Sequence, residues 1–326
     1  MTSHENKISR FLPVHFFGRL PLLKLKIRFK MTANANLPPF TGFAWRGLTG
    51  RELQRLVCPF MRRPTCGDCL IRQNCPYALL IEEENTSADL SDAPRGYLFD
   101  PTMDHHQNKK QSQDQMLTVT LAGQCAKFLP VVIMAIIKGQ RTGLGYKRNP
   151  YVITSIEEVF PDGTTRTIPV NGDVCPAITG PFPLEKWIGS IDDPPDKVTI
   201  QLKTPLRLRK KGKYLRQMAW PFFFESLARR LESLNCLFHE GQPLGKEPWL
   251  NLKKHFHQDS RIEGKFRWWD LQRYSGRQKQ KIPMGGITGE AVLKKPSASD
   301  IQWFKAAELV HVGKGAAMGL GKVQIL

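Results

Sequence analysis

The sequence contains few acidic residues for its length. It has 29 Asp and Glu against 48 Lys and Arg, a formal net charge of +19. No N-terminal signal peptide is expected, because residues 1–10 are polar and no suitable apolar segment follows. The most apolar stretch, 117–137, is interrupted by Gln124, Lys127 and Pro130, which argues against a span of about 20 lipid-facing residues. We therefore expect a cytoplasmic protein that does not enter the membrane and that binds a polyanion.

Disulfide bonds are also not expected, although the sequence contains seven cysteines. The number is odd, and a long chain without an export signal does not favour a disulfide framework. Four cysteines fall within eighteen residues, with seven, two and five residues between them: Cys58, Cys66, Cys69 and Cys75. Four thiolates suit a tetrahedral Zn²⁺ ion, although an iron–sulfur cluster would accept the same ligands and the cysteines could also be unligated. We predict a structural zinc site, since a closed shell of four thiolates leaves no position for a substrate.

The glycine-rich C-terminal segment, residues 311–326, lacks both common nucleotide-binding motifs. A Walker loop would require Gly at position 316 and Ser or Thr at position 323, which are Ala316 and Val323 here. A dinucleotide-binding turn must be followed by a helix, and only five residues follow Gly321. The segment therefore predicts a glycine-rich turn that leads into a final strand.

Four glycines and two lysines give this segment its chemical character. Glycine lets backbone N–H groups approach another chain closely, and neighbouring lysines indicate that the partner is a phosphate. A plain hairpin turn is the alternative. The residues concerned are Gly313, Gly315, Gly319, Gly321, Lys314 and Lys322.

The length of 326 residues favours two domains. Asp192-Asp193-Pro194-Pro195 predicts the boundary, because prolines at this density end both helices and strands. The predicted domains are residues 1–195 and 196–326. Residues 198–326 contain 24 Lys and Arg against 10 Asp and Glu, so the C-terminal domain holds most of the positive charge.

Hydrophobic periodicity predicts alternating strands and helices in both halves. Strands are expected at 20–32, 117–121, 151–159, 198–202 and 266–278, and helices at 45–57, 129–138 and 220–234. Asp162-Gly163 predicts a hairpin turn. The aromatic residues of the last helix are expected in the core, not as a stacking surface for bases.

Two basic stretches of the C-terminal half are candidates for RNA contact. The first follows the 198–202 strand and includes Arg209, Lys210, Lys211 and Lys213, which fit a groove that tracks phosphates, with a solvated charged face as the alternative. The second, 266–278, combines arginines with Trp and Tyr, which can bind phosphates and stack on bases. A cross-strand aromatic pair with surface cations remains the alternative for the second stretch.

Several short motifs together resemble a known family. They are Arg46-Gly47-Leu48, Cys75-Pro76-Tyr77, Leu121-Ala122-Gly123, Gly143-Leu144-Gly145, Arg273-Tyr274-Ser275-Gly276-Arg277-Gln278, His311-Val312-Gly313-Lys314-Gly315 and Gly319-Leu320-Gly321. With them the chain resembles the CRISPR-associated repeat-cleaving endoribonucleases (the Cas-six group) of the RAMP superfamily. The resemblance implies an α+β fold of two tandem ferredoxin-like βαββαβ domains, with the cysteine cluster inserted in the first. It also implies binding of CRISPR repeat RNA and its cleavage into guide RNAs.

The resemblance further implies chemistry without a catalytic metal. The 2′-hydroxyl beside the scissile phosphate attacks, and the products carry a 2′,3′-cyclic phosphate and a 5′-hydroxyl. This reaction needs a base, an acid and a cation for the developing charge. The family often carries a histidine on the first helix of the N-terminal domain, yet this sequence has no histidine between His15 and His105.

We therefore predict His311, beside the glycine-rich segment, as the catalytic histidine, with His15 as the substitute. Lys314 and Arg273 are the predicted phosphate clamps, Tyr274 the positioning residue or auxiliary acid, and Arg277 a further RNA contact. The departure from the family pattern leaves a second hypothesis open, a non-catalytic RNA-binding subunit of a CRISPR effector complex. A third hypothesis is a zinc-stabilised DNA-binding protein.

Overall fold

The structure, a computed structural model, describes residues 12–32, 35, 37–60, 66–82, 93–102, 114–169, 178–257, 262–275 and 280–326. The chain divides into two compact units. One is Leu22–Pro181, and the other combines the stretch before Leu22 with Phe182–Leu326. We call them the N-terminal and the C-terminal unit.

Strands and helices alternate through the first half of the chain. In chain order they are α1 (Pro13–Phe17), β1 (Pro21–Met31), α2 (Gly42–Val57), α3 (Pro76–Leu80), β2 (Tyr97–Pro101), β3 (Asp114–Ala122), α4 (Leu129–Thr142), β4 (Tyr151–Val159) and β5 (Thr165–Thr167). Short 3-10 helices precede α3 and α4.

The second half adds nine strands and four helices among the described residues. They are β6 (Phe182–Pro183), α5 (Leu184–Ile188), β7 (Lys197–Leu206), β8 (Arg209–Lys210), β9 (Lys213–Tyr214), α6 (Trp220–Phe238), α7 (Lys246–His257), β10 (Ile262–Trp269), β11 (Gln272–Ser275), β12 (Gln280–Pro283), β13 (Gly286–Lys294), α8 (Ala298–Val310) and β14 (Val323–Ile325).

The N-terminal unit is built on an antiparallel sheet of order β2-β3-β1-β4-β5. The predicted alternation of β1 is confirmed, since Leu25, Ile27 and Phe29 are buried while the basic residues between them are half-buried or exposed. Helix α2 covers the buried face, where the ring of Trp45 packs 5.0 Å from that of Phe29 and 5.2 Å from that of Tyr151. These contacts place the core between the helices and one face of the sheet.

The C-terminal unit repeats the order of elements. Its sheet has the order β10-β13-β7-β14. Along the chain, α6 follows β7 and α8 follows β13, just as α2 follows β1 and α4 follows β3 in the N-terminal unit. The predicted core role of the α6 aromatics is confirmed, because Phe223 and Phe224 are buried and their rings lie 5.9 and 5.2 Å from that of Phe304 in α8. Both units are therefore mixed α+β layers with helices on an antiparallel sheet.

The division of the chain differs from the predicted boundary at 195/196, because it falls after Pro181. The segment that follows Pro181 is bound to the C-terminal unit: Leu184 N–H donates to Leu20 O at 2.8 Å, and Lys305 Nζ donates to Ile188 O at 2.9 Å. The stretch before Leu22 also belongs to that unit. The Asp192–Pro195 turn is thus internal to the C-terminal unit.

One predicted strand is divided. Within the 266–278 stretch, β10 ends at Trp269 and a separate strand, β11, begins at Gln272. The side chains of the two strands therefore do not alternate between the same two faces of one sheet. β11 instead pairs with β12 in a two-stranded hairpin. No helix in the described residues is long and apolar enough to cross a bilayer.

Candidate nucleic-acid interface

The glycine-rich segment wraps around the C-terminal end of β7. Thr204 is buried there, and its Oγ1 donates to Gly319 O and accepts from Lys322 N–H, both at 2.8 Å. Gly321 N–H donates to Pro205 O at 3.1 Å and Lys314 N–H to Arg207 O at 2.9 Å. The segment is thus a rigid loop, fixed at several points to a strand of the sheet.

Close packing against the protein itself explains two of the four glycines. A Cβ on Gly321 would lie 1.8 Å from Val312 O, and one on Gly313 would lie 2.6 Å from Arg207 O. Gly315 and Gly319 flank a short 3-10 helix, Ala316–Met318, with φ values of 83° and 89°. All four glycines adopt positive φ, which other residues rarely do. The glycines therefore build the loop, whether or not its amides also approach a ligand.

Arg207 connects this loop to its surroundings. Its side chain is only 5% exposed, and its guanidinium donates to Pro283 O and Gly285 O at 3.1 and 3.2 Å. The guanidinium carbon also lies 4.3 Å from the centre of the Tyr214 ring. Within the described residues, Arg207 forms no ion pair and its buried Nε has no hydrogen-bond partner.

The predicted basic stretch forms a small hairpin, β8 and β9, next to Arg207. Arg209, Lys210, Lys211 and Lys213 are all exposed on it. Lys211 and Gly212 form its turn, both with positive φ. Because Tyr214 of β9 stacks on the Arg207 guanidinium, the hairpin is anchored beside the glycine-rich loop.

A third element reaches the same loop through Arg273 of β11. Arg273 Nη1 donates to the thioether sulfur of Met318 at 3.3 Å. The next residue, Tyr274, is 61% exposed, and its strand partner is Lys281 of β12. Arg277 lies outside the described residues. We call the set Arg207, Tyr214, Arg273, Lys314 and Met318 the Arg207 junction, because these residues join three basic elements.

His311 does not lie on this surface. It follows the last residue of α8, is 1% exposed, and has its Nδ1 3.3 Å from Leu320 O. A general acid or base must reach the proton that it transfers, and a buried ring fixed to a carbonyl does not meet this requirement. The geometry instead gives His311 a structural contact between helix α8 and the glycine-rich loop.

The predicted substitute, His15, is exposed on the short helix α1. His239 is half-buried at the end of α6, and His255 is half-buried in α7. His4, His105 and His106 lie outside the described residues.

The four clustered cysteines lie between α2 and α3 in the N-terminal unit. Cys58 directly follows α2, Cys75 directly precedes α3, and Cys69 N–H donates to Cys66 O at 3.3 Å in the turn between them. None of the four forms a disulfide bond. Within the described residues, no three His, Cys, Asp or Glu side chains are already arranged to hold a metal ion.

Sequence reasoning missed the two residues that organise the interface, Arg207 and Tyr214. Both were visible only as members of a charged stretch. The local pattern even points the wrong way, since Arg207 stands between the buried Leu206 and Leu208, and a cation between two buried residues of a strand is expected on the opposite, solvent-facing side.

Comparison with known proteins identifies the part of the chain that carries this interface. Residues 200–323 match the family model described as CRISPR-associated endoribonuclease Cas6. The Arg207 junction lies entirely within the residues that match this family model. Residues 20–179 match a second family model, AF_1859_N, described as an N-terminal domain.

Relatives match nearly the whole chain at low sequence identity. An uncharacterized protein of Archaeoglobus fulgidus is 25% identical over 315 residues, covering 94% of this chain and 98% of the relative. The solved Cas6 of Thermus thermophilus superposes with a TM-score of 0.52 at 16% identity, over 94% of this chain and 99% of that one. A partial Cas6-RT-Cas1–Cas2 complex gives a TM-score of 0.55 at 14% identity, over 97% of this chain and 47% of that one. These structures share the fold of this chain.

Proposed function

We propose that this protein is an endoribonuclease that cuts the repeats of a CRISPR precursor transcript into guide RNAs in the cytoplasm. The observation that carries the proposal is the position of the Arg207 junction, where three basic elements meet within the residues that match the Cas6 family model. The repeated order of elements in the two units further supports two tandem ferredoxin-like domains.

The electrostatics of Arg207 favour an anionic ligand. Burial of a charge costs free energy unless an opposite charge or hydrogen bonds compensate, and here carbonyl oxygens and an aromatic ring supply only part of the compensation. A phosphate of the RNA backbone would supply the missing negative charge. The exposed cations of the β8–β9 hairpin would extend the contact along the strand.

The residues of the junction suit a reaction in which the RNA supplies its own nucleophile. The 2′-hydroxyl attacks the adjacent phosphorus, the bond to the 5′-oxygen breaks, and a 2′,3′-cyclic phosphate and a 5′-hydroxyl form. Lys314 and Arg273 would stabilise the charge that develops on the phosphate oxygens. Tyr274, exposed next to Arg273, would position the RNA or donate a proton to the leaving oxygen.

Incubation of the full chain with end-labelled repeat RNA in EDTA tests this proposal. We expect a cut at one position within the repeat and a product with a 2′,3′-cyclic phosphate. Cleavage that stops in EDTA, or a product with a 5′-phosphate, would show a different mechanism. Duplex DNA of the same sequence serves as the competitor and should not displace the RNA.

A second function is favoured by the burial of His311. The predicted catalytic histidine is 1% exposed and its Nδ1 lies 3.3 Å from Leu320 O, so the interface could hold RNA without cutting it. In this case the protein would be an RNA-binding subunit of a CRISPR effector complex. Tight binding of repeat RNA without any cleavage over long incubation would establish this second function and exclude the first.

A further inference from the structure

The loop between α4 and β4 does not belong to the Arg207 junction, but it occupies the corresponding place in the N-terminal unit. It joins α4 to β4, and β4 pairs antiparallel with β1. The glycine-rich segment likewise joins α8 to β14, which pairs antiparallel with β7. We call residues 143–149 the Tyr146 loop. Because the C-terminal copy of this connection carries proposed RNA contacts, the N-terminal copy is a candidate for the same task.

The Tyr146 loop is closed at its base by hydrogen bonds. Leu144 N–H donates to Asn149 O at 2.7 Å, and Asn149 N–H donates back to Leu144 O at 3.0 Å. Both residues are buried, and the side-chain Nδ2 of Asn149 also donates to Leu144 O, at 3.0 Å. Gly143, where the chain leaves α4, has a φ of 78°, and a Cβ there would overlap Arg148 O. The base of the loop is therefore fixed to the unit.

The tip of the loop presents an aromatic ring and two cations to solvent. Tyr146 is 95% exposed, and Lys147 and Arg148 directly after it are also exposed. Gly145 and Arg148 adopt φ values of 77° and 50°, and Arg148 N–H donates to Gly145 O at 3.2 Å. A ring exposed to this extent contributes little to the core, so the fold itself does not require an aromatic residue at this position.

An aromatic ring next to cations is the combination with which proteins hold single-stranded nucleic acid. Bases of any sequence stack on the ring, while Lys and Arg contact the adjacent phosphates. Unpaired bases are available for this contact, whereas the bases of a duplex are stacked within the helix. An acidic surface of a partner protein would pair with the two cations but would not require a planar ring.

We propose that the Tyr146 loop is a second binding site for RNA, where the ring of Tyr146 stacks on an unpaired base and Lys147 and Arg148 contact neighbouring phosphates. This inference rests on the proposed RNA substrate, but it gives the loop no part in cleavage. The site adds affinity for a single-stranded part of the substrate, while the Arg207 junction holds the phosphate at which the strand is cut.

Two measurements on the full chain test this inference. Filter binding uses 2′-O-methylated repeat RNA, which cannot supply the nucleophile, and single-turnover cleavage at saturating protein uses the unmodified RNA. Tyr146→Leu keeps an apolar side chain but removes the aromatic plane. It should weaken RNA affinity about 5- to 100-fold and leave the cleavage rate of bound RNA unchanged. Tyr146→Phe is the matched control and should keep full affinity. Because the residue is so exposed, thermal unfolding should not change in either variant.

The outcomes separate this inference from the proposed nuclease activity. Unchanged affinity in Tyr146→Leu, with cleavage intact, would overturn the inference alone and indicate a partner protein for the loop. Equal losses in Tyr146→Leu and Tyr146→Phe would also overturn it, because the hydroxyl and not the ring would then contact RNA. Binding that depends on the Tyr146 ring, without cleavage by the unmodified chain, would support the site and contradict the nuclease activity. Absence of RNA binding by the unmodified chain would overturn both.

Discussion

Arg207 is the residue on which the proposed interface depends most. We predict that Arg207→Gln weakens binding of repeat RNA about 10- to 100-fold, because a hydrogen bond to a charged group contributes about 1.5–3 kcal/mol and 1.4 kcal/mol corresponds to a tenfold change. The substitution also removes buried hydrogen bonds to Pro283 O and Gly285 O, so stability should fall by about 1–3 kcal/mol, and affinity is compared at a temperature at which the variant is folded. Filter binding measures the affinity, and thermal unfolding checks the fold.

Arg229→Gln is the matched control for this experiment. Arg229 also lies over an aromatic ring, 5.2 Å from the centre of Trp249, but it stands on α6 and has no described contact with the glycine-rich loop. Its substitution should leave RNA affinity unchanged. Equal losses in the two variants would show that Arg207 acts only through the total charge of the protein.

His311 illustrates where sequence position and structural position diverge. The sequence correctly places it beside the glycine-rich segment, but the direction of its ring depends on the end of α8 and on the loop that folds back over it. A motif reports which residues are neighbours along the chain, whereas access to solvent depends on packing from distant elements. Arg207 was missed for the same reason, because its carbonyl partners follow it by more than 70 residues.

The structural assignment of His311 makes a prediction opposite to that for a catalytic residue. His311→Ala should lower the free energy of unfolding by about 1–3 kcal/mol, since a buried hydrogen-bonding group loses its partner. The cleavage rate should decrease only in proportion to the loss of RNA affinity. His239→Ala, at the corresponding end of α6, should change neither quantity. Selective loss of cleavage at unchanged stability and affinity would return the catalytic role to His311.

At the scale of elements, periodicity predicted the regular parts well. The strand at 151–159 and the helix that begins at Leu129 are confirmed. The buried positions of the strand change face between Tyr151 and Ile156, where its pairing with β1 shifts register. The Asp162-Gly163 hairpin is confirmed by the pairing of Val159 with Thr165. The split of the 266–278 stretch was not predicted, since nothing in the local pattern shows that β11 leaves the sheet to pair with β12.

The glycine-rich loop allows its packing to be tested separately from its backbone conformation. Gly321→Ala places a methyl group against Val312 O and also forces a non-glycine residue to a φ of 66°. Gly212→Ala carries a similar conformational cost, at a φ of 81°, but its methyl group would meet no atom within 4 Å. A left-handed conformation alone costs roughly 1–2 kcal/mol.

We therefore expect Gly321→Ala to destabilise the protein clearly more than Gly212→Ala, as measured by chemical denaturation. RNA affinity should fall in Gly321→Ala because the junction is built on this loop. Equal effects of the two substitutions on stability would mean that the loop can shift to accommodate the added methyl group.

At the scale of the whole molecule, the net charge of +19 should govern RNA binding through salt. If about five cations of the interface contact phosphates, the logarithm of the association constant should fall with the logarithm of salt concentration with a slope of about −3 to −4. Substitution of Lys210 and Lys211 by Gln should make the slope shallower by roughly one to two. A slope near zero would indicate that RNA is held without phosphate contacts.

The sequence predicted the positive charge of the C-terminal half and a division into two units, but not the exact division. A double proline is equally compatible with a turn inside a unit and with a boundary between units. The hydrogen bonds of Leu184 and Ile188 show that the residues before the double proline already belong to the C-terminal unit. Such contacts join residues more than 100 positions apart and leave no local pattern.

The most direct test of the account is to map where RNA touches the protein. Ultraviolet cross-linking of repeat RNA to the full chain, followed by mass spectrometry of the peptides, reports these contacts residue by residue. We predict adducts at Tyr214, at Tyr274 and in the glycine-rich loop, and their loss in Arg207→Gln. Adducts confined to other parts of the chain, with these three positions unmodified, would contradict this prediction.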